Sequence, residues 1–181
     1  RPSVLLFFIT VTFGGITSFL PLYAAQKGIP GIESYFLVYA IFLMVSRTFA
    51  GKIYDKKGHV YVFLPGTIMI FIAMILLSWL PSTFGMLFAA GMYGLGFGSV
   101  QPALQAWAVD KAPDNRKGMA NATFFSFFDM GVGIGAMGFG ALASAFGYHM
   151  IYLTAAGSVS LSILLYVFLL VRTARRRTVG G

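Results

Sequence analysis

Asp129 is an acid set where hydrocarbon is expected. It stands in Thr123-Phe124-Phe125-Ser126-Phe127-Phe128-Asp129-Met130-Gly131-Val132-Gly133, inside an apolar run that opens near Gly118. At about 1.5 Å of rise per helical residue it lies on the order of 15 Å along that run, near the middle of a ~30 Å hydrocarbon slab. A carboxyl at that depth is costly, and it marks an ion path, a proton relay or a substrate contact. The competing reading is an acid that only packs, protonated or hydrogen-bonded to a neighbour such as Ser126.

A second constellation is Arg47-Thr48-Phe49-Ala50-Gly51-Lys52-Ile53-Tyr54-Asp55-Lys56-Lys57-Gly58-His59. Arg47, Gly51 and Asp55 follow at four-residue steps, which places them on one face of a helix end. Arg47 can snorkel toward the aqueous boundary. Gly51 lets a second helix pack close, and Gly58 lets the chain reverse at positive φ. Asp55 stands where a facing helix N-terminus would welcome negative charge.

Composition defines the elements that must carry these groups. Hydrophobic residues make up 58% of the 181 and charged residues only 10%, far below the roughly 25% of soluble domains, so this is an all-α membrane protein. Six apolar stretches are predicted as spanning helices, over about 3–25, 33–54, 60–80, 83–109, 118–146 and 149–171. Turn signals separate them: Lys27-Gly28-Ile29-Pro30-Gly31, Asp55-Lys56-Lys57-Gly58, Pro81-Ser82, Ala112-Pro113-Asp114-Asn115 and Gly147-Tyr148. Such short connections favour a single antiparallel six-helix domain. The opening Arg1-Pro2 suggests a piece of a longer polypeptide.

Of the 13 Lys and Arg residues, only Lys27 falls away from one set of helix ends. The net charge of +8 therefore reads as topology rather than as nucleic-acid binding. Both termini are expected in the cytoplasm of a plasma (inner) membrane. Arg175-Arg176-Arg177 reads as a stop-transfer flank among lipid phosphates. Glycine concentrates in the fourth and fifth stretches, and Gly131 and Gly135 stand at the small-xxx-small spacing that lets helix backbones approach. The 19 Phe residues are assigned no chemistry.

The segment Gly51-Lys52-Ile53-Tyr54-Asp55-Lys56-Lys57-Gly58-His59 resembles the signature loop of the major facilitator superfamily, G-x-x-x-D-[RK]-x-G-[RK], with His59 in place of the last basic residue. It falls between the second and third helices, as in each six-helix half of that family. The fifth stretch lacks the proline of the antiporter motif of N-terminal halves, and a basic tail follows Val171, so the resemblance points to a C-terminal half. It implies two inverted three-helix repeats and alternating access against the other half or a second copy. The implied partners are a small-molecule substrate, protons or another coupling ion, and membrane lipid. Because helices one and four line the cavity in the family, Thr12, Thr17, Tyr93 and Gln101 become candidate pore positions beside Asp129. Each can equally serve its own helix, since a membrane threonine commonly bonds its backbone. Gln101 and Gln105 flank Pro102 and are expected to make interhelical hydrogen bonds. Arg47, Gly51, Asp55, Lys56 and Gly58 become a cytoplasmic gate. The expected function is proton-coupled efflux of small amphipathic compounds; the alternative is a non-transporting scaffold or receptor.

Enzyme chemistry finds little support. There is no phosphate-cradling G-x-x-x-x-G-K-[ST] run and no cysteine. His59 and His149 fall at opposite membrane faces, so they cannot share a metal or a triad. Neither a metal nor a cofactor is expected.

Overall fold

The computed structural model describes residues 1–79 and 82–179, with side chains through Ala174. Six long helices follow one another: α1 (Pro2–Lys27), α2 (Ile32–Lys57), α3 (Val60–Trp79), α4 (Thr83–Asp110), α5 (Lys117–Phe146) and α6 (Tyr148–Val179). A short 3-10 turn, Asp114–Arg116, leads into α5. Each of the six is long and apolar enough to cross a membrane. In hydrocarbon a helix satisfies its backbone internally, which is why uninterrupted apolar runs adopt this form.

The helix ends follow local chemistry. α1 closes in a Schellman motif: Gly28 at φ 65° donates to the Ala25 carbonyl and Ile29 donates to Ala24. α2 closes at Gly58, whose φ of 84° only glycine adopts freely. α4 opens at Ser82, whose side chain accepts from the Gly85 N–H at 3.1 Å. Three boundaries run past the expected ones. α1 extends to Lys27, α2 to Lys57 and α6 to Val179 rather than ending near 25, 54 and 171. Lys and Arg are good helix formers and favour C-terminal turns, so the helix continues beyond the slab that the apolar run measures. Leu80 and Pro81 lie outside the described residues, as do the side chains of Arg175, Arg176 and Arg177.

The packing pattern is symmetric. α1 packs chiefly on α5 and α6, and α4 chiefly on α2 and α3, while α3 meets α6. Exchanging α1 with α4, α2 with α5 and α3 with α6 reproduces this pattern, as expected for two inverted three-helix repeats. The first helix of each repeat lies on the second helix of the other, so the repeats interlock and neither forms a separate subdomain. Two histidines fasten α3 to α6 at opposite ends. His59 Nδ1 is 2.7 Å from the Tyr166 hydroxyl, and His149 Nδ1 donates to the Ser78 carbonyl at 2.7 Å.

Glycine sets the closest approaches. A Cβ at Gly135 would overlap the Val11 carbonyl, and one at Gly131 would strike the Thr10 hydroxyl, so both face α1. On α4, Gly94 and Gly98 lie equally close to the backbone of α2 at Tyr39 and Leu43.

Candidate functional site

Coverage by other helices is uneven. About half or more of the apolar window is buried in α1 (50%) and α4 (61%), against 11% in α2 and 17% in α5. α2 and α5 are therefore the helices least covered by the rest of this domain.

Rings join α1, α2, α4 and α5. Phe13 of α1 stacks on Phe97 of α4 with centroids 5.3 Å apart and planes at 14°. Phe128 of α5 lies 6.2 Å from both, and Tyr39 of α2 is 6.5 Å from Phe13. Phe13, Tyr39 and Phe128 remain half-buried, which leaves an aromatic wall with some ring surface free. Such rings offer large apolar area with few rotatable bonds. Sequence alone assigns these phenylalanines no role. Nothing along the chain announces the wall, because its four rings come from four different helices.

Asp129 follows Phe128 on α5 and is exposed. Among the described residues it has no hydrogen-bond or ion-pair partner. The nearby Ser126 hydroxyl donates to the Ala122 carbonyl at 3.0 Å instead. The alternative of an acid tied to Ser126 is thus not the arrangement found.

The other candidate positions separate. Thr12 and Tyr93 are both fully buried, with their hydroxyls 2.9 Å apart at the crossing of α1 and α4; they form an interior bond and present nothing to the surface. The Thr12 hydroxyl also donates to the Ile9 carbonyl. Thr17 is exposed and donates to Phe13 O at 2.8 Å. Gln101 is 8% exposed and accepts from Arg47 Nη2 at 2.9 Å. Gln105 donates to Asn121 Oδ1 at 2.8 Å, joining α4 to α5. Both glutamines are thereby engaged between helices.

At the basic end, Gly51 and Asp55 help line a cleft of about 240 Å³ with Tyr54, Pro102 and Ala106. A Cβ at Gly51 would meet nothing within 4 Å, so the close approach expected there has no partner inside this domain. Tyr54 donates to Asp110 Oδ2 at 2.9 Å, while Asp55 and Lys56 are exposed. His59 stacks on Trp107 with centroids 4.3 Å apart and planes at 11°. Burial, and then the charge of Lys111, pull its pKa below the ordinary histidine value. Among the described residues no group of three or more His, Cys, Asp or Glu is arranged to hold a metal.

Comparison with known proteins agrees with this architecture. The family model of the Major Facilitator Superfamily matches residues 1–136 and 62–180. An uncharacterized MFS-type transporter of Burkholderia mallei (strain SAVP1) is 30% identical over 165 residues, covering 90% of this chain and 40% of the relative. An uncharacterized MFS-type transporter of Methanocaldococcus jannaschii is 30% identical over 157 residues, covering 84% and 40%. The chain thus spans about 40% of the length of these curated relatives. Among solved structures, a mutant of the peptide transporter POT in complex with sulfate superposes with a TM-score of 0.79 at 18% identity, over 92% of this chain and 36% of that one. That likeness concerns the fold. The signature loop, the interlocked repeats and a family match along nearly the whole length together show that this chain belongs to the Major Facilitator Superfamily.

Proposed function

We propose that this chain is the C-terminal six-helix half of a secondary transporter that exports small amphipathic molecules by alternating access, driven by protons. On this reading it lies in the plasma membrane with both termini in the cytoplasm. The uncovered face of α2 and α5 meets the other six-helix half or a second copy, and the substrate is held between them. Asp129 is the titrating or substrate-contacting group. Arg47, Gly51, Asp55, Lys56 and Gly58 form the gate at the basic end. The absent facing helix accounts for the empty space beside Gly51.

The observation that carries the reading is the setting of Asp129. A carboxyl near the middle of α5 is exposed and has no partner among the described residues, and it follows Phe128 of the aromatic wall in sequence. An acid at such a depth in a membrane helix characteristically marks an ion path, a proton relay or a substrate contact, and this is the role assigned to Asp129 here.

The test is Asp129→Asn in the full-length protein, reconstituted in vesicles with an imposed pH gradient and a panel of fluorescent amphipathic dyes. Gradient-driven movement should be lost while dye exchange without a gradient persists. Wild-type rates at every pH would sink the carrier role and leave Asp129 a packing acid, for which the polar isostere is nearly silent, at about 0.6 kcal/mol per interhelical bond.

A further inference from the structure

A second polar site lies at the basic end, behind the candidate transport face. A cleft of about 190 Å³ opens between α1, α4 and α6, lined by Arg1, His59, Trp107, Lys111, Leu169 and Leu170 among others. A neighbouring cleft, also about 190 Å³, shares Arg1 and Leu169 and adds Arg172 and Thr173. The walls thus bring together three cationic side chains, Arg1, Lys111 and Arg172. No carboxylate lines either cleft, and among the described residues none of the three cations is in an ion pair.

The indole adds an independent sign. Trp107 lines the cleft, yet its Nε1–H is buried and has no acceptor. An indole N–H can only donate, and buried donors are nearly always satisfied. The ring itself is held in place by the stacked His59 and by the edge of Tyr166 at 6.3 Å. That donor is closed off as the side chains stand, but it belongs to a residue on the wall of a cationic cleft, and an anion entering there with a small shift of the lining side chains would supply its acceptor. The apolar part of the wall, Leu169 and Leu170, belongs to α6, and the next residues toward the middle of that helix, Val167 and Phe168, are exposed. An acyl chain could run along that surface while its phosphate reached the cleft.

We propose that this cleft binds the phosphate of an anionic phospholipid from the leaflet bordering the basic end. Lys111, Arg1 and Arg172 neutralise it, and Trp107 Nε1–H donates to one of its oxygens. The juxtamembrane depth suits lipid recognition, because basic residues there already sit in the attractive field of anionic headgroups. The site does not depend on the transport reading, since no group in it belongs to the aromatic wall or to Asp129.

The two tryptophans make the test direct. Trp79 lies exposed at the far end of α3. In a Trp79→Phe background Trp107 is the sole indole, and its emission reports the cleft. Any tryptophan that the full-length protein has outside this chain is also changed to Phe. In vesicles, phosphatidylglycerol brominated in its acyl chains should quench Trp107 at a lower mole fraction than brominated phosphatidylcholine. Lys111→Gln should shift the phosphatidylglycerol curve about tenfold toward weaker binding, the scale of one lost charge-assisted contact, and leave the phosphatidylcholine curve unmoved. Trp107→Phe keeps the stack on His59 but removes the donor. In the protein without substitutions, short-chain phosphatidylglycerol should raise the melting temperature in detergent, and this variant should lose that rise. Equal quenching by the two lipids, or a Lys111→Gln curve identical to the parent, overturns the proposal. Inorganic phosphate that displaces the lipid at equal concentration would assign the cleft to a free anion and overturn the lipid source.

Discussion

The hydroxyls of Thr12 and Tyr93 lie 2.9 Å apart, 81 residues distant in sequence, where the first helices of the two repeats cross. Pro21 and Pro102 stand at the same separation on the same two helices, so the bond and both prolines occupy related places in the two repeats. The contact joins the two repeats inside the apolar bundle, where neither hydroxyl reaches water. Tyr93→Phe should cost about 0.5–1.5 kcal/mol of stability, because Thr12 keeps its Ile9 carbonyl. Thr12→Val leaves the Tyr93 hydroxyl buried without that partner and should cost more. A double-mutant cycle on detergent melting curves should show the pair less destabilising than the sum. Additive losses would mean that the two hydroxyls do not bond.

Glycine on α5 divides by direction. Gly135 meets the Val11 carbonyl of α1, whereas a Cβ at Gly133 meets nothing within 4 Å. Gly135→Ala must push two backbones apart, at a cost of about 1–3 kcal/mol. Gly133→Ala in the same background should be neutral or mildly stabilising, since it removes helix-interior glycine. Melting temperatures of the two purified variants check this contrast, and equal losses would contradict the α1–α5 packing.

The elements were legible in the chain because six apolar runs are broken by glycine, proline and charge. The extent of each helix could be read from the same runs, and this is why the place of Asp129 near the middle of α5 was accessible. Its direction was not. The few polar residues of α5, among them Asn121, Thr123, Ser126, Asp129 and Ser144, gather on no single stripe that would say which side faces a neighbour. Gly131 and Gly135 carried the one azimuthal signal, and small-residue spacing exposed it. The pairs Thr12–Tyr93 and His59–Tyr166, and the four-ring wall, depend on tertiary packing between helices far apart in sequence. Local pattern holds no record of such contacts. The charged helix ends ran long for the converse reason: the apolar run measures the slab, and hydrogen bonding sets the helix.

His59 supplies a pH dependence with a definite sign. Its folded-state pKa lies below the usual value because burial, then Lys111, disfavour the imidazolium. Arg1 adds a second cation across the cleft, and the facing Tyr166 hydroxyl is neutral. Unfolded His59 titrates near about 6.5, so on acidification the unfolded chain takes up its proton first. The stabilising contribution is therefore complete above that pH and is lost as pH falls through the lower, folded value. Melting temperature measured from about pH 7.5 to 5.5 should fall in the parent and stay flatter in His59→Gln, a range that lies above ordinary carboxylate titration. Parallel curves would remove His59 as the source.

The last prediction concerns Asp55, which is exposed at the end of α2 beside an uncontacted Gly51. Within this domain its carboxylate has no ion-pair partner among the described residues, so its removal should not disturb the fold. Asp55→Asn should insert and accumulate as the parent does. If a helix N-terminus of the facing half closes onto this end, the neutral amide answers the helix dipole less well, by about 0.3–1 kcal/mol. That loss falls on the closed state alone, so the population open at the basic end should rise by about two- to fivefold, with transport slowed accordingly. A cysteine introduced at Ala106, on the wall of the same cleft, reports this opening through its rate of thiol alkylation in the full-length protein. Faster alkylation with unchanged melting temperature is the expected result. Identical alkylation rates in Asp55→Asn and the parent would leave Asp55 a solvated surface charge.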